Sequence, residues 1–242
     1  MKIDTTQIHS LEMKEPKELE NRNNVNMLLN YRRIRNIKRC NNFPVLNTED
    51  VAQHSYFVAL LSMVITDEYN SWISQYWISD ETSIPNPKRK FISTEKVLRK
   101  ALMHDTDEAF SSDIPFNIKH FNKETHEVIE KALDSMMETA YAGTSELFQE
   151  YRGMARTCKE GIEGDIVNIA DMTELAIQCY EEYTLGNLWV KSLLSKAVGL
   201  VFDRINETEL KNTDTCPTLM KLLNVLCLKT DSNSIDSIIN IG

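Results

Sequence analysis

Apolar residues recur along this chain at three- and four-residue spacing, and only 7 glycines and 6 prolines interrupt them. That pattern predicts helices rather than strands, and an all-α fold. A first helix is expected from Lys17 to Cys40. After the loop NNFPVLN, Thr48 offers an N-cap with Glu49 and Asp50 in the first turn, so a long helix should follow and fade near Trp77. Its predicted core stripe is Val51, Phe57, Val58, Leu61, Val64 and Ile65. The proline-broken stretch ISDETSIPNPKRKFIST reads as a surface loop. Ser93 or Thr94 can cap the next helix, whose core face of Val97, Leu98, Ala101 and Leu102 leads to His104 and Asp105 near its end. Helical patterns also cover Glu124 to Tyr141, Gly164 to Tyr183, Leu188 to Ile205 and a short piece from Leu219 to Leu228. No internal repeat is visible. The expected organisation is a polar segment 1–17, one helical domain over 18–205, and a C-terminal extension 206–242 that packs on or trails it.

Charge narrows the partners. A formal net charge of -9 gives no broad positive field for a long nucleic acid, so nucleic-acid binding is not expected. Five cysteines lack the close paired spacing of a zinc site or a dense disulfide framework, which suits a reducing cytoplasm. No stretch reaches the roughly eighteen unbroken apolar residues of a membrane span, so neither secretion nor membrane insertion is expected.

The candidate chemistry lies in four residues. The pair His104-Asp105 is weak alone, because the 5 histidines and the aspartates of this chain predict about 0.3 such pairs by chance. Singly, His54 reads as a core histidine bonded to a carbonyl, and Asp171 as a solvated or salt-bridged helix residue. Together, H…HD…D on separate helices reads as a metal site that relieves the burial of Asp171 within the run VNIADMTELA. Two imidazole nitrogens and two carboxylate oxygens suit a divalent cation such as Mn²⁺, Co²⁺, Fe²⁺ or Mg²⁺ better than a closed structural zinc site. His9, His120 and His126 form no comparable pattern.

Three blocks carry a resemblance: RCNNFPVLNTEDVAQHS from Arg39, HDTDEAFSSDIP from His104, and VNIAD from Val167. With their neighbours they resemble the HD-domain superfamily, specifically its bacterial and phage-encoded 5'-deoxynucleotidases, over about residues 18–205. The resemblance implies an HD-domain helical bundle with a metal site between helices, and hydrolysis of deoxynucleoside 5'-monophosphates to deoxynucleoside and phosphate. It makes His54, His104, Asp105 and Asp171 the metal ligands, Arg39 the phosphate-orienting residue, and Glu108 and Asp113 the catalytic carboxylates. Spacing agrees for Glu108, which follows His104 by four residues and Asp105 by three and so shares their side of a helix. Asp113 falls in a turn-like SSDIP segment. The expected substrate contacts are Arg39, Cys40, His54, Glu108, Asp113, Ile114, Pro115, Phe116 and Lys119. Two positions depart from the family: Cys40 stands where a tryptophan follows the arginine, and Phe116 replaces a small polar residue. Arg32, Arg35 and Arg39 share a face if the helix runs on, which keeps a deoxynucleoside triphosphate triphosphohydrolase as the alternative. A non-catalytic nucleotide-binding protein is the reading from another class, and the retained Glu108 and Asp113 speak against it. A small-molecule deoxynucleotide is the expected partner, and a homodimer is compatible with the sequence.

Overall fold

The computed structural model describes residues 16–40, 44–79, 90–119, 121–211 and 215–227. Helices form it throughout: α1 (Pro16–Tyr31), α2 (Val51–Ser79), α3 (Thr94–Met103), α4 (Glu108–Ser111), α5 (Phe116–Lys119), α6 (Lys123–Tyr141), α7 (Glu146–Arg156), α8 (Gly161–Thr184), α9 (Lys191–Glu207) and α10 (Pro217–Cys227). The all-α expectation holds, with no strand among the described residues.

The long helix α2 is started by Asp50 rather than Thr48. Asp50 Oδ1 accepts from the Gln53 backbone N–H at 2.9 Å, and Gln53 Oε1 accepts from the Asp50 N–H at 3.0 Å, a reciprocal capping box. Its buried stripe is Val51, His54, Ser55, Val58, Ser62, Ile65, Thr66, Tyr69 and Ile73. Phe57 is exposed, because it lies about 100° round the helix from Val58. The stripe therefore carries His54 inward with the core. Ser93 does cap α3, accepting from the Lys96 N–H at 3.3 Å. Most of the expected 79–93 loop lies outside the described residues, as do His9 and His120.

Helix α8 is the centre of the bundle, buried from Gly164 to Glu182 against α2, α3 and α9. The main core joins Ile65, Tyr69, Val97, Ile166, Ile169, Leu194 and Val201, and α10 adds Leu219, Leu223 and Leu226 to it. A smaller cluster of Met27, Met137, Tyr141 and Phe148 holds α1, α6 and α7 together. Helix α7 has no counterpart among the predicted elements, although Phe148, Tyr151 and Ala155 recur at helical spacing and pack on this smaller cluster.

The first helix is shorter than expected. It gives way at Arg32 to a 3₁₀ turn through Asn36, after which the backbone is extended at Ile37 and Lys38 pairs antiparallel with Asp50. The Arg39 N–H donates to the Glu49 carbonyl at 3.0 Å and the Val51 N–H to the Ile37 carbonyl at 3.0 Å. This clip brings Arg39 back beside the first turn of α2. It also removes the predicted shared face of Arg32, Arg35 and Arg39, because those three no longer lie on one helix.

Candidate metal and phosphate site

Four elements supply the polar centre. Helix α2 presents His54 from its buried stripe, and α8 presents Asp171. His104 closes α3 as its C-cap, and Asp105 follows in the turn to α4. That turn is wound by i to i−3 bonds, with the Thr106 N–H on the Met103 carbonyl at 3.3 Å and the Glu108 N–H on the Asp105 carbonyl at 3.2 Å. The expected single helix through His104 and Glu108 is thus interrupted, and Glu108 opens the short α4 instead.

Three of the four predicted ligands close on one point, and the fourth, Asp171, reaches it through His54. His54 Nε2 lies 3.2 Å from His104 Nε2, 3.4 Å from Asp105 Oδ2 and 3.2 Å from Asp171 Oδ1, and His104 Nε2 lies 3.1 Å from Asp105 Oδ2. Donor atoms of His54, His104 and Asp105 all fall within 4.8 Å of one another. Asp171 joins through His54, while its other oxygen, Oδ2, takes Lys159 Nζ at 2.7 Å.

This donor set fits a cation. His104 Nδ1 sits 2.7 Å from the Ala101 carbonyl oxygen, which can only accept, so the ring hydrogen is there and Nε2 turns its lone pair to the centre. His54 Nδ1 lies 2.5 Å from Glu174 Oε2, which asks the same of its ring. Acceptor atoms this close need a positive charge between them, a bound cation or, without one, a proton on His54. Burial and Arg39 oppose charge on His54, yet Asp105, Asp171 and Glu174 outweigh both and raise its pKa well above the ordinary value. Burial likewise opposes ionisation of Asp105 and Asp171. His104 and His54 outweigh it at Asp105, and Lys159 and His54 at Asp171, so both carboxyls are held well below the usual range.

The flanking carboxylates differ in state. Glu108 Oε2 is buried without a hydrogen-bond partner among the described residues. Burial, followed by Asp105, Asp113 and Asp107, pushes its pKa up to about 9. Asp113 follows Ser112, whose φ of 63° turns the chain sharply, and its Oδ2 accepts from the Cys40 N–H at 3.1 Å. Burial raises its pKa against the pull of Arg39. Cys40 itself has a φ of 55°, and its Sγ lies 3.6 Å from Gln178 Oε1.

Other expected positions stand as follows. Ile114 and Pro115 are half-buried in the segment between α4 and α5, and the Pro115 carbonyl accepts from Ile118 and Lys119 to start α5. Lys119 pairs with Glu130 on α6 at 3.3 Å. The Phe116 side chain lies outside the described residues.

Three residues escaped the sequence reading. Glu174, buried on α8, accepts from Arg39 Nη1 at 2.7 Å beside its contact with His54. Its signal was a carboxylate three residues beyond Asp171 inside an apolar helix. Glu182 is 2% exposed and accepts from the Leu46 N–H at 2.8 Å, the Asn47 N–H at 2.6 Å and Asn187 Nδ2 at 2.7 Å. Lys159 arrives because Gly164 lets α8 approach the preceding turn, where a Cβ would lie 2.3 Å from the Lys159 carbonyl carbon. No sequence pattern pointed to Lys159.

Residues 26–214 match the model of the YfbR-like 5'-deoxynucleotidase family. The chain belongs to this family. A 5'-deoxynucleotidase of Pectobacterium atrosepticum is 29% identical over 164 residues, 62% of this chain and 71% of that one. The YfbR 5'-deoxynucleotidase of Salmonella arizonae is 27% identical over 177 residues, 68% and 79% of the two chains. A solved HD-domain phosphohydrolase from Listeria innocua matches with a TM-score of 0.58 at 18% identity, covering 87% of this chain and 93% of its own. A Pyrococcus horikoshii protein matches with a TM-score of 0.59 at 22% identity, covering 84% and 99%. These structures share the fold. The enzyme class follows from the family: a metal-dependent phosphohydrolase of the 5'-deoxynucleotidase kind.

Proposed function

We propose that His54, His104, Asp105 and Asp171 hold one divalent cation of the Mn²⁺, Co²⁺, Fe²⁺ or Mg²⁺ class, and that the surrounding side chains remove the phosphate of a deoxynucleoside 5'-monophosphate. The observation that carries this reading is the cluster of His54, His104 and Asp105, whose donor atoms lie within 4.8 Å of one another, with Asp171 Oδ1 at 3.2 Å from His54 Nε2. When bound, such a cation supplies Lewis-acid polarisation of the phosphate and acidifies a water for attack. Arg39 supplies the always-charged fork that orients phosphate oxygens at the mouth of α2. Glu108, raised to about 9 and lacking a partner on Oε2, is the group that carries a proton between water and leaving oxygen. Asp113 is held by the Cys40 N–H beside Arg39, where its carboxylate orients the reacting groups.

Arg32 and Arg35 stand on the exposed 3₁₀ turn, off the Arg39 segment, so they do not continue Arg39 as a track for a longer phosphate chain. We infer a cytoplasmic enzyme: the five cysteines are free thiols, and no helix among the described residues is long and apolar enough to cross a membrane. A homodimer is compatible with this reading. The test is phosphate release from deoxynucleoside mono- and triphosphates with Mn²⁺ or Co²⁺, against chelator. Release from the monophosphate that needs metal and disappears in His104→Ala supports the proposal. Triphosphate released faster than phosphate from the monophosphate would overturn the substrate, and full activity in chelator would overturn the site.

A further inference from the structure

Helix α8 reads the segment after the first helix through one row of polar residues. Glu174, Gln178 and Glu182 follow at four-residue spacing and meet Arg39, Cys40 and the Leu46–Asn47 backbone in turn. Glu182 and Gln178 hold this segment in place. Glu174 touches two functional side chains at once, and the mechanism above gives it no chemical step.

At the meeting point, His54 Nδ1 lies against both Glu174 Oε2 and Arg39 Nη1. A guanidinium can only donate, so Arg39 alone would draw the lone pair of Nδ1 and drive the ring hydrogen to Nε2. There it would point at the other three acceptor atoms and exclude a cation. A carboxylate can only accept. With Glu174 present, its Oε2 takes the Arg39 N–H at 2.7 Å and the His54 Nδ1–H at 2.5 Å, leaving the Nε2 lone pair directed inward.

We propose that Glu174 is the positioning residue that keeps Arg39 and His54 compatible: it fixes the metal-competent tautomer of His54 while anchoring the phosphate arm one bond away. The inference rests on the reading that His54 and its three companions hold a divalent cation. Glu174 then couples phosphate binding to metal binding, because one oxygen serves both side chains.

The test is calorimetric titration of Mn²⁺ into metal-free wild type, Glu174→Gln, Glu174→Asp, Arg39→Met, the double variant Arg39→Met/Glu174→Gln, and His104→Ala as a ligand control. Helicity and melting are followed alongside. Glu174→Gln is expected to weaken Mn²⁺ binding about 10–100-fold and to raise KM for the monophosphate. Glu174→Asp, which keeps the charge at shorter reach, should fall between it and wild type. The decisive comparison is the double-mutant cycle: Arg39→Met removes a nearby positive charge in either background, but it should improve Mn²⁺ affinity several-fold more in Glu174→Gln than in wild type, because only there does the guanidinium compete for Nδ1. A residue that merely supports the fold predicts the same gain in both backgrounds. Wild-type affinity in both Glu174 variants, or a gain from Arg39→Met no larger in Glu174→Gln than in wild type, overturns the inference. If His104→Ala also binds Mn²⁺ as wild type does, the metal site itself fails; if only His104→Ala loses binding, the positioning role alone falls.

Discussion

Asp171 divides its two oxygens between opposite demands: Oδ1 faces His54 Nε2 at 3.2 Å and Oδ2 holds Lys159 Nζ at 2.7 Å. An ammonium beside a ligand repels the cation that ligand is to hold, and here it is half-exposed, which screens the effect without removing it. Lys159→Met should therefore tighten Mn²⁺ binding by a few-fold. Calorimetric titration checks this, and weaker binding would mean that Lys159 matters more for aiming Asp171 than for its charge. Gly164→Ala should act on the same contact by pushing the Lys159 backbone away, at a stability cost of about 1–3 kcal/mol.

The burial of Glu108 ties stability, and on the proposed reading turnover, to pH. Its folded pKa of about 9 stands above the ordinary 4.5, so its contribution to stability is fully present below about 4.5 and is lost as pH rises through 9. Metal-free Glu108→Gln should match wild type at pH 5 and melt higher at pH 8, by a few kcal/mol at most. The same variant should lose most of its turnover with Mn²⁺ still bound. Thermal melts in chelator at the two pH values, with metal content and rates on the loaded protein, decide both halves. A lower melting point at pH 8 would show that Glu108 is not held in an unfavourable state.

Removing the anchor at Glu182 should cost stability rather than chemistry. Its carboxylate accepts three bonds from the 46–47 backbone and Asn187, and Glu182→Ala breaks all three. The expected loss is about 3 kcal/mol, since water can replace part of what exposed Leu46 and Asn47 lose. For a chain of this size that corresponds to a fall in Tm of roughly 6–12 °C. A shift under a few degrees would assign the hold on this segment to Gln178 and Glu174.

On the proposed reading, Cys40 bears on sugar selection. Its backbone is tied to Asp113 and its thiol to Gln178, which places a small side chain between the phosphate arm and the α4–α5 turn. Cys40→Trp should narrow that space and lower the rate on ribonucleoside monophosphates relative to deoxyribonucleoside monophosphates. Steady-state rates on paired substrates measure the ratio. An unchanged ratio would remove Cys40 from the substrate pocket.

The chain by itself determined its helical class, most helix positions and the four residues that meet at the centre. Burial follows from apolar period, and a His at position 54 of a helix whose Val51, Val58 and Ile65 are buried has to face inward with them. The motif blocks then named Arg39, Glu108 and Asp113. What only the tertiary structure decided are relations between distant segments. The antiparallel clip at Lys38 and Asp50 turns Arg39 away from the 3₁₀ turn that carries Arg32 and Arg35. The close approach at Gly164 brings Lys159 to Asp171, and the inward row of α8 sets Glu174 between Arg39 and His54. A buried carboxylate is stable only where partners reach it, and those partners lie 120 and 135 residues away in sequence. Local pattern holds no record of that distance, so the contact of Glu174 with both Arg39 and His54 became visible only in the fold.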